Sequence, residues 1–362
     1  MVSPLTYHAI LASMAVITCA HSKSQINRAG EALVVMAPND PARDAHLLVI
    51  SNWRECHAYP LLSVRLTLEQ RAARVVSDKS LVVQRLKRLP SIALKLTQNP
   101  SMRLARMHDI AGCRAILPTM SDVDKLAGLY KTTKPRGGPS VARIYDYITN
   151  PKPDGYRSIH VVVDFHSKKQ PAFDGQQVEI QIRSKLQHLW ATAIETVQAF
   201  TGQALKTRIK QAEPHWERFM LLCSAHFADV ERRPSVPNAP SNRQDRKNEL
   251  SALDAAHGII SIMVGWSVFV EVRKPPKGAH SYLLELDTVA RRLGVKWFTA
   301  SQLQEAEDAY IKREKETEGI PGKQIVLASA GSLSSLKKGY PNYYVDVRKF
   351  CELAKGAFTP RT

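Results

Sequence analysis

VEIQIRS, residues 178–184, decides how the middle of this chain is read. Val178, Ile180 and Ile182 alternate with Glu179, Gln181 and Arg183, and alternate side chains of a strand point to opposite faces. The apolar set goes to a core. The other face then carries a carboxylate, an amide and a guanidinium in a row, which suits either a metal and phosphate surface or an ordinary solvated sheet face. Working outward, IAGCRAILP (110–118), ARIYDYI (142–148) and SIHVVVDFH (158–166) share the period of two and are separated by turn residues such as PRGGPS and FDGQ. They read as strands of one sheet.

Upstream, LLSVRLTLEQRAARVV (61–76) and SLVVQRLKRLP (80–90) carry apolar positions near a 3.6 period, so residues from about 23 to 104 read as mainly helical. Downstream, KLQHLWATAIETVQAF (185–200) sets Leu186, Leu189, Trp190, Ala193, Ile194 and Val197 on one stripe of a helix that covers a sheet face. The fold class expected is α+β, a mixed β-sheet flanked by helices. Residues 231–247, ERRPSVPNAPSNRQDRK, hold three prolines and almost no apolar content, as a linker does. That stretch divides residues 1–230 from a smaller C-terminal α/β unit, 248–362, with strand-like YLLELD and QIVLAS. This second unit carries no cluster of catalytic side chains, so binding or regulation is its expected role.

Of the 362 residues, 44% are hydrophobic and 23% charged, which excludes a disordered chain. The formal net charge of +18 favours polyanionic partners: nucleotides, RNA, DNA or an anionic membrane. The excess is local, with ten Lys/Arg between Arg71 and Arg114 against only Asp78 and Asp109. Five cysteines without CxxC spacing support neither a disulfide framework nor a structural zinc site and fit a reducing cytosol. The run AILASMAVITCA (9–20) resembles a signal-peptide core, yet no Lys or Arg precedes it, so a helix or frayed extension is expected. The run from Ile259 to Val270 is too short to span a bilayer. A cytoplasmic protein without a membrane partner is the expectation.

Asp109, at the start of the IAGCRAIL strand, and Glu179 on an adjacent strand make the oxygen-rich pair that Mg²⁺ uses when it also holds substrate phosphates. The dipeptide His108-Asp109 could instead mark a metal phosphohydrolase, but such a site needs further histidines at helical spacing. In RLKRLPSIALKL, Ser91 and Lys95 are four apart on a helix and face the same way, while Arg85 and Lys87 enter from the preceding segment. Converging cations can neutralise a triphosphate, and a guanidinium can stack on a purine.

These pieces occur in a fixed order: RLKxxxSIxxKL, DIAGCR, PKPDGYRSIH and VEIQIRS followed by HLWATAIE. In that order they resemble the synthetase domain of the RelA/SpoT family, over roughly residues 60 to 210 with core motifs in 80–200. The resemblance implies a nucleotidyltransferase-like fold and an ATP-dependent pyrophosphokinase, which transfers pyrophosphate from ATP to a ribose 3′-hydroxyl and expels AMP. It implies further that Arg85 and Arg114 sandwich adenine, that Lys87, Ser91 and Lys95 hold phosphates, and that Asp109 with Glu179 binds Mg²⁺, Glu179 also acting as general base. On the acceptor side it implies an exposed Tyr156 stacking on a purine base, with Arg157, His160, Gln181 and Arg183 around the acceptor. Asp154 stands where the family often has Asn, adding a negative charge there.

The tail YPNYY gives Tyr340 and Tyr343 the YxxY spacing of CapRel, a fused toxin–antitoxin subset whose C-terminal antitoxin domain covers the ATP site until a phage capsid protein releases it. That likeness implies a self-inhibited toxin acting on the 3′ end of tRNA, with GDP or GTP as acceptor in the alternative, a (p)ppGpp synthetase. Candidate tRNA contacts are Arg71, Arg74, Lys79, Arg88, Lys206, Arg208 and Lys210.

Overall fold

The computed structural model describes residues 17–358 apart from 38–39, 77–79, 133–137, 202–213, 267–268, 273–274, 277, 321, 330–331, 341–342 and 345–346. The run 9–20 therefore lies mostly outside the described residues, as do Lys79, Lys206, Arg208 and Lys210.

Three helices come first: α1 (Lys23–Val35), α2 (Arg43–Glu55) and α3 (Ala58–Val75). Ser22 starts α1 with a capping box, its side chain accepting from the Gln25 N–H while Gln25 reaches back. Strand β1 (Leu81–Leu86) follows, then α4 (Leu89–Gln98), β2 (Ala111–Leu117), α5 (Met120–Thr132), β3 (Ser140–Asp146), β4 (Ile159–Asp164), β5 (Gln177–Ser184), α6 (Lys185–Thr201) and α7 (Pro214–Val230). The helical expectation fails at residues 81–86. The apolar spacing of LVVQRL fits a short helix, but six residues flanked by β2 on one side bond into the sheet instead.

The C-terminal half adds α8 (Arg243–His257), α9 (Ile259–Gly265), β6 (Phe269–Val272), β7 (Ala279–Asp287), β8 (Arg292–Thr299), α10 (Leu303–Glu316), β9 (Lys323–Ser329), α11 (Leu333–Gly339) and α12 (Arg348–Phe358). Its strands continue the same sheet, a nine-stranded one ordered β3-β4-β5-β2-β1-β9-β7-β8-β6. The joint is short. β1 and β9 register at Gln84↔Ser329 and Arg85↔Ala328 only, whereas β1 and β2 register from Leu81↔Ile116 to Leu86↔Ala111. The Pro-rich stretch is tied down: Val236 is buried, α8 begins within it at Arg243, and buried Arg246 reaches Asp229 and the carbonyls of Pro240 and Ser241.

One face of the N-terminal half-sheet is apolar. Val161, Val163, Val178, Ile180, Ile182, Cys113 and Ala115 pack against Leu61, Val64 and Leu68 of α3 and Val123 and Leu126 of α5. Each Val, Leu and Ile among them contributes about 1.5–3 kcal/mol by leaving water. The opposite face, carrying the alternate residues, is thereby fixed as the polar one.

A second seam joins the halves. Helix α10 lies across α2, with ion pairs Arg43–Glu318 (2.6 Å), Arg54–Glu314 (2.9 Å) and Lys315–Asp44 (2.7 Å). Glu314 also accepts from the Leu89 N–H at 2.6 Å, so it stands at the N-terminus of α4, where a negative charge complements the helix dipole. Close by, Glu307 lines a small cavity with Arg54, Glu55 and Tyr310. Burial, then the neighbouring Glu55 charge, pushes the Glu307 carboxyl up to about 8. An acid whose pKa is raised on folding binds its proton more tightly in the native state, so stability falls as pH rises from its unfolded value to its folded one. Glu307→Gln should therefore raise the melting temperature at about pH 9 and change it little near pH 5, the difference corresponding to a few kcal/mol. Thermal melts at the two pH values check this; an equal shift at both would contradict it.

Candidate active site

Directly paired residues of neighbouring strands share a face, and two such rows cross the polar face. One runs Arg143, Val162, Glu179, Gly112, Arg85; the other runs Tyr145, His160, Gln181, Arg114, Val83. The sheet alone thus brings together residues from five strands spread over about a hundred positions of sequence. At the β1 end a cavity of about 100 Å³ is lined by Arg85, Lys87, Asp109, Arg114, Glu179 and Gln181, and by Tyr340 from the C-terminal half.

Asp109 sits just before β2 and receives Lys87 at 2.9 Å and Lys95 at 2.8 Å. Ser91 lies one turn before Lys95 on α4. Burial pushes the Asp109 carboxyl up, but the two lysines outweigh it and hold the pKa below its ordinary value. Glu179 is nearly buried. His160 Nδ1 is 2.9 Å and His108 Nε2 3.9 Å from its Oε1, and Gln181 donates to Oε2 at 2.8 Å. Burial raises its pKa, yet the His160 charge and these hydrogen bonds win and leave it well below the usual carboxylate range. Both acids are ionised at neutral pH. Burial, then Arg183, pulls Arg114 down to about 10, so it stays charged there, and its Nε donates to Gln181.

On the acceptor side two expectations are corrected. Tyr156 is not an exposed platform: it is buried, ring against Trp190, in a cluster with Met220, Phe219 and Cys223 of α7. Its hydroxyl is satisfied within the protein, 2.6 Å from His160 Nε2 and 2.6 Å from Arg183 Nη2. Gly155 does adopt a left-handed φ of +89°, but a Cβ there would come within 3.2 Å of Ser224 and Trp190, so the glycine lets the loop tuck inward rather than open outward. Arg157 likewise does not face an acceptor. It is buried against Glu231 at 2.6 Å, and Glu231 in turn accepts from Ser184 and Gln187.

Around Tyr156 charges couple tightly. Burial alone would depress His160 and raise Tyr156, but the Tyr156 and Glu179 oxygens pull His160 upward, while Arg183 and His160 pull Tyr156 downward. Tyr156, His160, Gln181 and Arg183 thus form a hydrogen-bonded scaffold behind Glu179.

The C-terminal half reaches the cleft through α11. Gly339 packs on Val83 so closely that a Cβ would lie 2.4 Å from its Cγ1, and Tyr340 then turns into the cavity, its hydroxyl donating to the Gln84 carbonyl at 2.7 Å. His188 of α6 lies 3.0 Å from the Lys338 carbonyl. Burial, then Arg114 and Arg183, lowers His188 far enough to keep it neutral, so Nε2–H is the donor there. Tyr343 is buried with its ring 6.0 Å from the Arg88 guanidinium. Arg88 also donates to Gln324 at 3.3 Å. Arg71 lies over the Tyr130 ring at 4.3 Å, and Arg74 is exposed.

The sequence pointed to His108 only as part of a His-Asp dipeptide, and it gave no role to Tyr145, to Tyr147 or to Lys152, whose ammonium lies over the Tyr147 ring. The alternation in RIYDYI already places both tyrosines on one face. What it lacks is the register with β4, which sets Tyr145 beside His160.

Residues 84–201 match the model of a region found in RelA and SpoT proteins. Among relatives, GTP pyrophosphokinase YwaC of Bacillus subtilis is 28% identical over 134 residues, 37% of this chain and 60% of that protein. A GTP pyrophosphokinase of Photobacterium angustum is 32% identical over 117 residues, 32% of this chain and 14% of that protein. The chain thus spans less than two thirds of the length of these curated relatives. Small alarmone synthetase 1 of Bacillus subtilis, solved bound to its product pppGpp, is similar with TM-score 0.39 and 22% identity, over 47% of this chain and 86% of that one. A GTP pyrophosphokinase family protein from Streptococcus pneumoniae gives TM-score 0.40 and 21% identity, over 56% and 97%. No described helix is long and apolar enough to cross a membrane.

Proposed function

We propose that this chain is an ATP-dependent pyrophosphokinase whose donor pocket is closed by its own C-terminal half. The observation that carries the reading is the convergence of Arg85, Lys87, Asp109, Arg114, Glu179 and Tyr340 on one cavity. Arg85 and Arg114 bracket the adenine. Lys87 and Lys95, now on Asp109, exchange that carboxylate for the triphosphate, with Ser91 beside them. The described residues include no cluster of three or more metal-ligating side chains, but two ionised carboxylates on one cavity wall fit a magnesium ion that takes its remaining ligands from phosphates. Asp109 and Glu179 would hold it, and bound there it neutralises charge on the transferred group.

In the transfer the acceptor's ribose O3′ bonds to the β-phosphorus of ATP, the bond from that phosphorus to the oxygen bridging to the α-phosphate breaks, and AMP leaves with the electron pair. The hydroxyl proton passes to Glu179, which is already ionised. No side chain needs to become a nucleophile: the work is positioning and charge neutralisation. The acceptor we favour is the 3′ end of tRNA, consistent with the chain's basic excess and with a toxin kept closed by Tyr340 until a partner, a phage capsid protein in the CapRel likeness, draws the tail away. The second reading, GDP or GTP as acceptor, is favoured by the relatives named GTP pyrophosphokinases.

ATP radiolabelled in its γ-phosphate, offered with tRNA, GDP or GTP, tests both: label moving to tRNA supports the first, label moving only to GDP or GTP the second, and no transfer under any condition defeats the enzyme reading. Tyr340→Ala should increase ATP affinity and transfer by about 5–150-fold, the range of ordinary coupling between a covering segment and a site. Unchanged ATP affinity in a folded Tyr340→Ala variant would remove the closing role.

A further inference from the structure

With Tyr156 sealed inside, the cleft needs another surface for the acceptor's base, and edge strand β3 offers one. Tyr145 on the strand and Tyr147 just past its end at Asp146 are both partly exposed, with rings parallel to within 2° and centroids 6.0 Å apart. His108, whose Nε2 is 3.9 Å from Glu179, continues the stack on Tyr145 at 6.4 Å. Tyr147 is held edge-on by His160 at 5.3 Å and Tyr156 at 6.1 Å, so its orientation is set before any ligand arrives. The Lys152 ammonium rests over its ring at 4.4 Å, and exposed Arg143 lies two residues before Tyr145 on the strand. Burial raises the Tyr147 hydroxyl pKa, so the ring is neutral.

We propose that Tyr145 and Tyr147 form a two-ring platform for successive bases of a single-stranded RNA 3′ end, placing its terminal ribose beside Glu179. Stacked aromatics flanked by cations are how proteins hold single strands, since every base has a π-face and every linkage a phosphate. The Lys152 ammonium leaves the Tyr147 ring for a phosphate when a base takes its place. Two parallel rings 6.0 Å apart suit two neighbouring bases, where a free nucleotide has one. The platform deepens the transfer reading above and rests on it for the placement of the reacting ribose, while the stacking itself is testable without catalysis.

The probes are a short 5′-fluorescent single-stranded RNA with a free CCA 3′ end and a fluorescent GDP, titrated against the full chain. Tyr145→Ala and Tyr147→Ala should each weaken RNA binding by about 5–150-fold, Tyr→Phe at either position should keep it, and GDP should respond to fewer of the substitutions than RNA. ATP binding and melting temperature serve as controls for folding. RNA binding unchanged in folded Ala variants overturns the platform, and so does GDP binding that falls as far as RNA binding in both. If the variants lose RNA binding while a chain opened by Tyr340→Ala transfers no label, the platform stands and the transfer reading falls. If the parent transfers label to tRNA with a KM that neither substitution changes, the transfer reading stands and the platform falls.

Discussion

Glu179→Gln should lower pyrophosphate transfer by about 10²–10⁴-fold, the range for losing a positioned proton acceptor. The substitution keeps the shape and the Gln181 contact but removes the charge that His160 and His108 face. It also takes away one of the two carboxylates that fit a magnesium ion. Asp109→Asn should act in the same direction, and by freeing Lys87 and Lys95 it should tighten ATP binding while transfer falls. That split between binding and turnover separates a catalytic loss from a folding defect. Single-turnover transfer within a few-fold of the parent in Glu179→Gln would remove Glu179 from the chemistry.

Arg157→Met should destabilise the fold by about 3–5 kcal/mol, because it leaves Glu231 as an uncompensated buried charge. Both side chains of the pair are almost wholly removed from water. Glu231→Gln should cost a similar amount, since it leaves the buried Arg157 guanidinium without its counter-charge and keeps one acceptor oxygen where Ser184 and Gln187 use two. The double variant Arg157→Met with Glu231→Gln should recover part of the loss, as expected of residues in one network. Denaturant unfolding checks all three. An Arg157→Met variant as stable as the parent, yet weak in acceptor binding, would return this arginine to the acceptor site.

The division of VEIQIRS into a core face and a polar face could be read directly, because a period of two with Val and Ile on one side leaves no other packing. The same period put Asp109 and Glu179 on adjacent strands, whereas the cations of RLKRLPSIALKL were joined to them only by the resemblance that the order of the motifs carries. The strand at 81–86 could not. Its six residues satisfy either period, and only its hydrogen bonds to β2 settle the matter. Tyr156 misled for a different reason. A glycine before a tyrosine permits a turn in either direction, and which one occurs depends on Trp190 and α7, about thirty to seventy residues away. Arg157 was hidden likewise by Glu231, a residue that lies in a stretch whose composition suggests solvent. Tyr340 was legible only through its spacing from Tyr343; its entry into the cleft depends on Gly339 lying flat on Val83.

Arg85 belongs to the last pair of residues by which β1 grips β9. A ligand that pulls the C-terminal half sideways would therefore load the very strand that carries one of the guanidiniums proposed to hold the donor, with little ladder in between to absorb the strain. Binding at a remote surface of that half would be felt at the proposed nucleotide site as a mechanical displacement, much as a short hinge pin passes on the swing of a door.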